Sequence, residues 1–125
     1  MNQNITPNMG AHALPHTSPS GRFLKIAITL ANIGEYEDAE YLLEIVLLLE
    51  PENIKARKTL AEILEKQGTQ EALNRAEKIL KEAENINNDP GIHTILSGIY
   101  HSKGDGEKAY QEFVTAINMR KVMSE

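Results

Sequence analysis

The chain has 125 residues, no cysteine and a formal net charge of -5. That length suits one domain with a core that needs no staples, and the missing thiols exclude disulfides, thiolate metal sites and a cysteine nucleophile. The acidic balance, with no Lys/Arg-rich block, argues against nucleic acid as a partner.

Residues 1–19 hold Asn, Pro, Ser, Thr, Gly and His with scattered apolar residues, and three prolines (Pro7, Pro15, Pro19). This composition predicts a disordered N-terminal tail. His12 and His16 are four apart, but Pro15 argues against the helix that would pair them. The tail lacks the basic and apolar regions of a secretory signal, so the expected location is cytoplasmic.

From residue 20 the pattern becomes helical. Phe23, Ile26, Ala27 and Leu30 recur every three to four residues, and Gly34 can end that helix in the left-handed conformation. Glu37 and Asp38 open a second helix at its positive end, and Ala39, Leu43 and Val46 fall on one face before Pro51 stops it. The apolar run Tyr41 to Leu49 is too short to span a bilayer. Asn53 caps a third helix with Ile54, Arg57, Leu60, Ala61 and Leu64 inward, ending at Gly68. Thr69 caps a fourth, with Ala72, Leu73, Ala76, Ile79, Leu80 and Ala83 inward; Glu71/Arg75 and Glu77/Lys81 are placed for ion pairs along it. Asp89-Pro90 starts a fifth, with Ile92, Leu96, Ile99 and Tyr100, which ends at Gly104. Asp105 caps a sixth, with Ala109, Phe113, Ala116 and Ile117.

The expectation is an all-α fold of six helices of roughly 13 to 17 residues with no strand, spanning 20–125. Gly34, Gly68 and Gly104 are spaced 34 and 36 residues apart, the period of paired-helix repeats.

The residues resemble the tetratricopeptide repeat (TPR) family, in three repeats at about 20–53, 54–89 and 90–123. Phe23, Ile26, Ala27 and Leu30 match the large-large-small-large pattern of its first helix. Gly34, Tyr36, Ala39, Leu43, Val46 and Pro51 match its turn and second helix. Leu96, Ser97, Tyr100, Gly104, Ala109, Phe113 and Ala116 repeat the pattern. In the middle repeat Leu60, Ala61, Leu64 and Gly68 fit, but Ala76, Leu80 and Ala83 come three residues late, so residues 69–75 hold an insertion or an extra turn. The resemblance implies a right-handed α-solenoid of three helix-turn-helix pairs, and a non-enzymatic protein-binding module. Fold alone does not name its partner.

By that resemblance the first helix of each pair lines a concave groove. Its residues would be Leu24, Ile28 and Ala31, then Lys55, Lys58, Glu62 and Glu65, then Thr94, Gly98 and His101. Such a groove suits an extended or helical peptide. Alternatively, Leu24 and Ile28 simply pack or lie under the tail. Leu24 and Ile28 stand where a carboxylate clamp needs polar residues, which disfavours a chaperone-tail clamp.

Two apolar surfaces point to self-association or a permanent partner: Tyr41, Ile45 and Leu48, and Val114, Ile117, Val122 and Met123, which no further helix covers. The rival to a self-associating scaffold is a small bacterial secretion chaperone holding a dedicated client; the plainer alternative is a monomer.

No phosphate loop, His-Glu-x-x-His or serine elbow appears, so no catalytic residue, cofactor or metal site is assigned. His93 and His101 lie eight apart with no obvious further ligand, and read as surface histidines, His101 within reach of a groove ligand. Glu82 and Glu84 read as solvated charge.

Overall fold

The computed structural model describes residues 18–124. The tail expectation for 1–19, with His12 and His16, lies outside them except at Ser18 and Pro19, which are the cap and first residue of α1. The described residues form six helices and no strand: α1 (Pro19–Asn32), α2 (Tyr36–Leu49), α3 (Ile54–Gln67), α4 (Gln70–Ile86), α5 (Pro90–Ser102) and α6 (Gly106–Met123). The all-α expectation holds, with helix starts close to those read from the sequence.

The ends form for the reasons the sequence offers. Asn53, Thr69 and Asp105 each accept a hydrogen bond from the backbone N–H three residues on, and Asp89 accepts from both Gly91 and Ile92. Ser18 caps α1 in the same way. Gly34 and Gly104 take φ of +89° and +86°. At each, the next residue's N–H reaches back to the helix, Glu35 to Leu30 O and Asp105 to Tyr100 O, closing a Schellman motif. A β-carbon at either position would be strained whatever the space around it.

Helices pair most closely in sequence order: α1 with α2, α3 with α4, α5 with α6. Between pairs, α2 meets α3 and α4 meets α5, and α3 also meets α1 and α5. α3 therefore touches four of the other five helices. Ala27, Ala39, Ala61 and Ala76 are fully buried, where a larger side chain would hold the backbones apart. Around them Leu43, Leu60, Leu64, Leu80, Ile92, Leu96 and Ile99 fill the core. The late arrival of Ala76, Leu80 and Ala83 has a simple cause: α4 has 17 residues where α2 has 14.

Three packing expectations need correction. Phe113 is half exposed; α6 buries only Ala109 and Ala116. Arg75 does not pair with Glu71 along its own helix. It reaches α2 instead, with Nη1 2.9 Å from Glu40 and Nη2 2.7 Å from Glu44. Glu77 is drawn off Lys81 by the end of α5, accepting from Tyr100 Oη at 2.7 Å and from the capping Lys103 Nζ at 2.6 Å. In both cases the partner comes from a neighbouring helix or its cap: the Arg75 pairs are exposed, whereas the Glu77 contacts are partly buried.

Leu64→Ala should cost about 2–5 kcal/mol, because the fully packed α3 surroundings cannot collapse into the space. Urea unfolding followed by circular dichroism measures it; a loss below about 1 kcal/mol would mean that α3 is not the packing centre.

Candidate functional site

Two adjoining depressions run across α1, α3 and α5. The first, about 530 Å³, is lined by Ile28, Ala31, Tyr36, Lys55, Glu62 and Glu65 among others. The second, about 500 Å³, takes in Lys55, Lys58, Glu62, Asp89, Thr94 and Arg120. Both share Lys55, Thr59 and Glu62, so one helix face of α3 forms their common floor.

The helix period explains the arrangement. Lys55, Lys58, Glu62 and Glu65 recur at three to four residues on α3, offset from buried Ala56, Leu60, Ile63 and Leu64. One face builds the core and the other displays charge. Of the groove residues expected from sequence, Ile28, Ala31, Lys55, Lys58, Glu62, Glu65 and Thr94 line the depressions. Leu24 packs, half-buried, against the core and lines neither. His101 is exposed and lines neither. Gly98 lies under Glu65: a β-carbon there would stand 2.6 Å from the Glu65 Oε2 atom. Tyr36, Thr59 and Arg120 were not anticipated as lining. Tyr36 belongs to a turn signature and Arg120 comes from α6, so no single-helix pattern places them in the groove.

The charges differ in how far the chain itself satisfies them. Lys58 is held 3.3 Å from Asp89, the residue that caps α5. Lys55, Glu62 and Glu65 make no salt bridge among the described residues. Burial pushes the Glu65 carboxyl up, and neighbouring Glu62 adds to it against a smaller opposing pull from Lys66. Lys66 and Arg120, also without a salt bridge among the described residues, line the rims, so the site offers cations and two carboxylates beside the apolar wall of Ile28 and Ala31.

A separate cleft of about 440 Å³ opens on α2, α3 and α4, lined by Leu47, Leu48, Arg57, Arg75, Ile79 and Glu82 among others. Leu48 is 82% exposed and Tyr41 is exposed, with Ile45 half-buried beside them. On α6, Val122, Met123 and Ile117 are exposed and Val114 is half-buried. Leu49, Tyr110 and Phe113, on the same two helices, are exposed as well. No helix among the described residues is long and apolar enough to cross a membrane.

The histidine reading needs correction. His101 is exposed, but His93 is buried, with 6% of its surface accessible. Its Nδ1 lies 2.6 Å from the Glu112 Oε1 atom and 3.5 Å from Glu84 Oε2; its Nε2 lies 2.7 Å from Asn88 Oδ1. Glu84 is accordingly not simply solvated. The carboxylate partners of His93 come from α4 and α6, which spacing along α5 could not show.

No model of a known protein family matches the chain, and no curated protein sequence matches it.

Glu65 generates a signed prediction. Its folded pKa is raised, so ionisation at neutral pH costs stability that would be fully present below the unfolded value of about 4.3. Glu65→Gln should raise the melting temperature at pH 7, by the equivalent of under about 1 kcal/mol because the site is partly solvated. The advantage should vanish below about pH 4, where the parent is itself protonated. Calorimetric melts at both pH values measure it, and a lower melting temperature at pH 7 contradicts it.

Proposed function

We propose that the protein is a TPR-like binding module, a right-handed solenoid of three helix pairs that holds a peptide or helical segment of a protein partner in the groove of α1, α3 and α5. The observation that carries this reading is the set of charges without internal partners on the groove floor, Lys55, Glu62 and Glu65, next to apolar Ile28 and Ala31. A ligand segment with one apolar anchor, a basic side chain and an acidic one would satisfy all three. The contacts of α3 with α1 and α5 support the solenoid, since they bring first helices together along one face. No catalytic role is assigned to any residue. The proposed activity is that of a scaffold or adaptor which self-associates, with Tyr41, Ile45 and Leu48 on one side and Val114, Ile117, Val122 and Met123 on the other as the contact surfaces.

Selection from a peptide library displayed on phage tests the groove. Enriched peptides should share an apolar residue flanked by both charges. Lys55→Glu and Ile28→Glu should each weaken the best of them about tenfold or more, as loss of a central anchor does. Enriched peptides that bind these variants as well as the parent would overturn the reading. Sedimentation at two protein concentrations tests self-association, and a strict monomer at the higher one removes that part.

A further inference from the structure

Three consecutive helices send one side chain each to a common point. Glu84 comes from α4, His93 from α5 and Glu112 from α6, and one potential donor atom of each lies within 4.8 Å of the others. His93 is the best buried, with its side chain 7% exposed, while Glu84 and Glu112 side chains are 22% and 17% exposed. The second ring nitrogen is separately engaged: Nε2 faces the side-chain amide oxygen Oδ1 of Asn88 at 2.7 Å. An Nε2–H donated to that oxygen fixes the tautomer and turns Nδ1 toward the two carboxylates. This is how a metal-binding imidazole is oriented by its outer shell.

Charge points the same way. A proton on Nδ1 can satisfy Glu112 at 2.6 Å, but it cannot also satisfy Glu84 at 3.5 Å. Lys81 compensates Glu84 weakly, at 3.7 Å from its other oxygen and on an exposed stem. Two carboxylates therefore compete for one ring nitrogen.

We propose that Glu84, His93 and Glu112 bind a divalent transition-metal ion, with Zn²⁺ the ion they suit best. One imidazole and two carboxylates make a three-ligand set that leaves a fourth position to water. The nitrogen donor disfavours Mg²⁺ and Ca²⁺, which seek oxygen alone. Tetrahedral ligands at about 2.0–2.2 Å from the ion stand roughly 3.3 Å apart. Nδ1 and Glu84 Oε2 are already near that spacing, and Glu112 needs to retreat by under about 1 Å through its side-chain torsions. The partial exposure of both carboxylates gives the ion a way in. Bound there, it ties α6, which buries little of its own surface, to α4 and α5.

The test uses the full chain carrying His12→Ala and His16→Ala, which removes the N-terminal histidines as competing ligands. After dialysis against chelator, ZnCl₂ is titrated calorimetrically, and CoCl₂ is followed by visible absorption. Expected are one ion per chain, a higher melting temperature with Zn²⁺, and a Co²⁺ spectrum of low coordination number. Glu84→Gln and Glu112→Gln, which keep side-chain size, should each weaken Zn²⁺ binding at least tenfold while leaving the helical circular dichroism intact. Asn88→Ala should weaken it about 10- to 100-fold. Absence of one-to-one binding, unchanged affinity in the two glutamine variants, or Mg²⁺ binding as tight as Zn²⁺ would overturn the proposal. If His93→Ala does not fold, the glutamine variants decide alone.

Discussion

The fold depends on how closely the helices can approach α3. Five of its fourteen residues are buried, and two of those five are alanines. Alanine lets backbones approach where leucine would prop them apart, and alanines 27, 39 and 76 bring the same closeness to the neighbouring helices. The leucines between them supply the area that drives folding. Because this burial occupies only part of the helix circumference, the remaining face of α3 is free to carry charge. Core and groove are thus two sides of one helical period, and neither can shift in register without disturbing the other.

Polar ties between helices serve a different purpose. Arg75 reaches Glu40 and Glu44 across from α4 to α2, and Arg57 of α3 joins Glu82 and the Ile79 carbonyl of α4. Glu77 takes hydrogen bonds from Tyr100 of α5 and from Lys103 just past its end; burial alone would raise its carboxyl, but these donors outweigh burial and hold it below the usual range. Burial, and after it the same contact, pushes the Tyr100 hydroxyl up. At the open end of the first pair, hydrogen bonds from Ser20 and then Asn53 lower the Glu50 carboxyl. Pairs of this kind add little net stability, since desolvation opposes them. They do, however, join specific residues of neighbouring helices across each crossing.

Much of this was legible in the sequence because it is local. Caps, glycine turns and the alanine-leucine stripes follow from residues within a turn or two of each other, and each appears where the pattern put it. Even the surplus turn of α4 showed as a lag in Ala76, Leu80 and Ala83. What periodicity could not reveal was which helix a side chain would choose. Arg75 and Glu77 had plausible partners on their own helix and took better ones elsewhere. His93 looked exposed because its neighbours in sequence are small or apolar, while its polar neighbours in space lie five and more residues away. The groove was half legible: its α3 face follows from spacing, but Tyr36 and Arg120 enter it only through the pairing of helices. Phe113 misled for the opposite reason. Its spacing is right for the core, yet no seventh helix among the described residues packs over that face of α6.

Glycine at position 98 has an effect out of proportion to its size. It sits mid-helix, where it costs about 1 kcal/mol relative to alanine. In return its missing side chain is the berth in which the Glu65 carboxylate rests. A methyl group there would evict the carboxylate into the open groove, releasing it from burial and presenting its full negative charge to whatever approaches. Electrostatic preference at this surface thus depends on a position with no charge and no side chain, and an uncharged substitution on α5 would re-tune it by moving the Glu65 carboxylate, with the sequence of α3 unchanged.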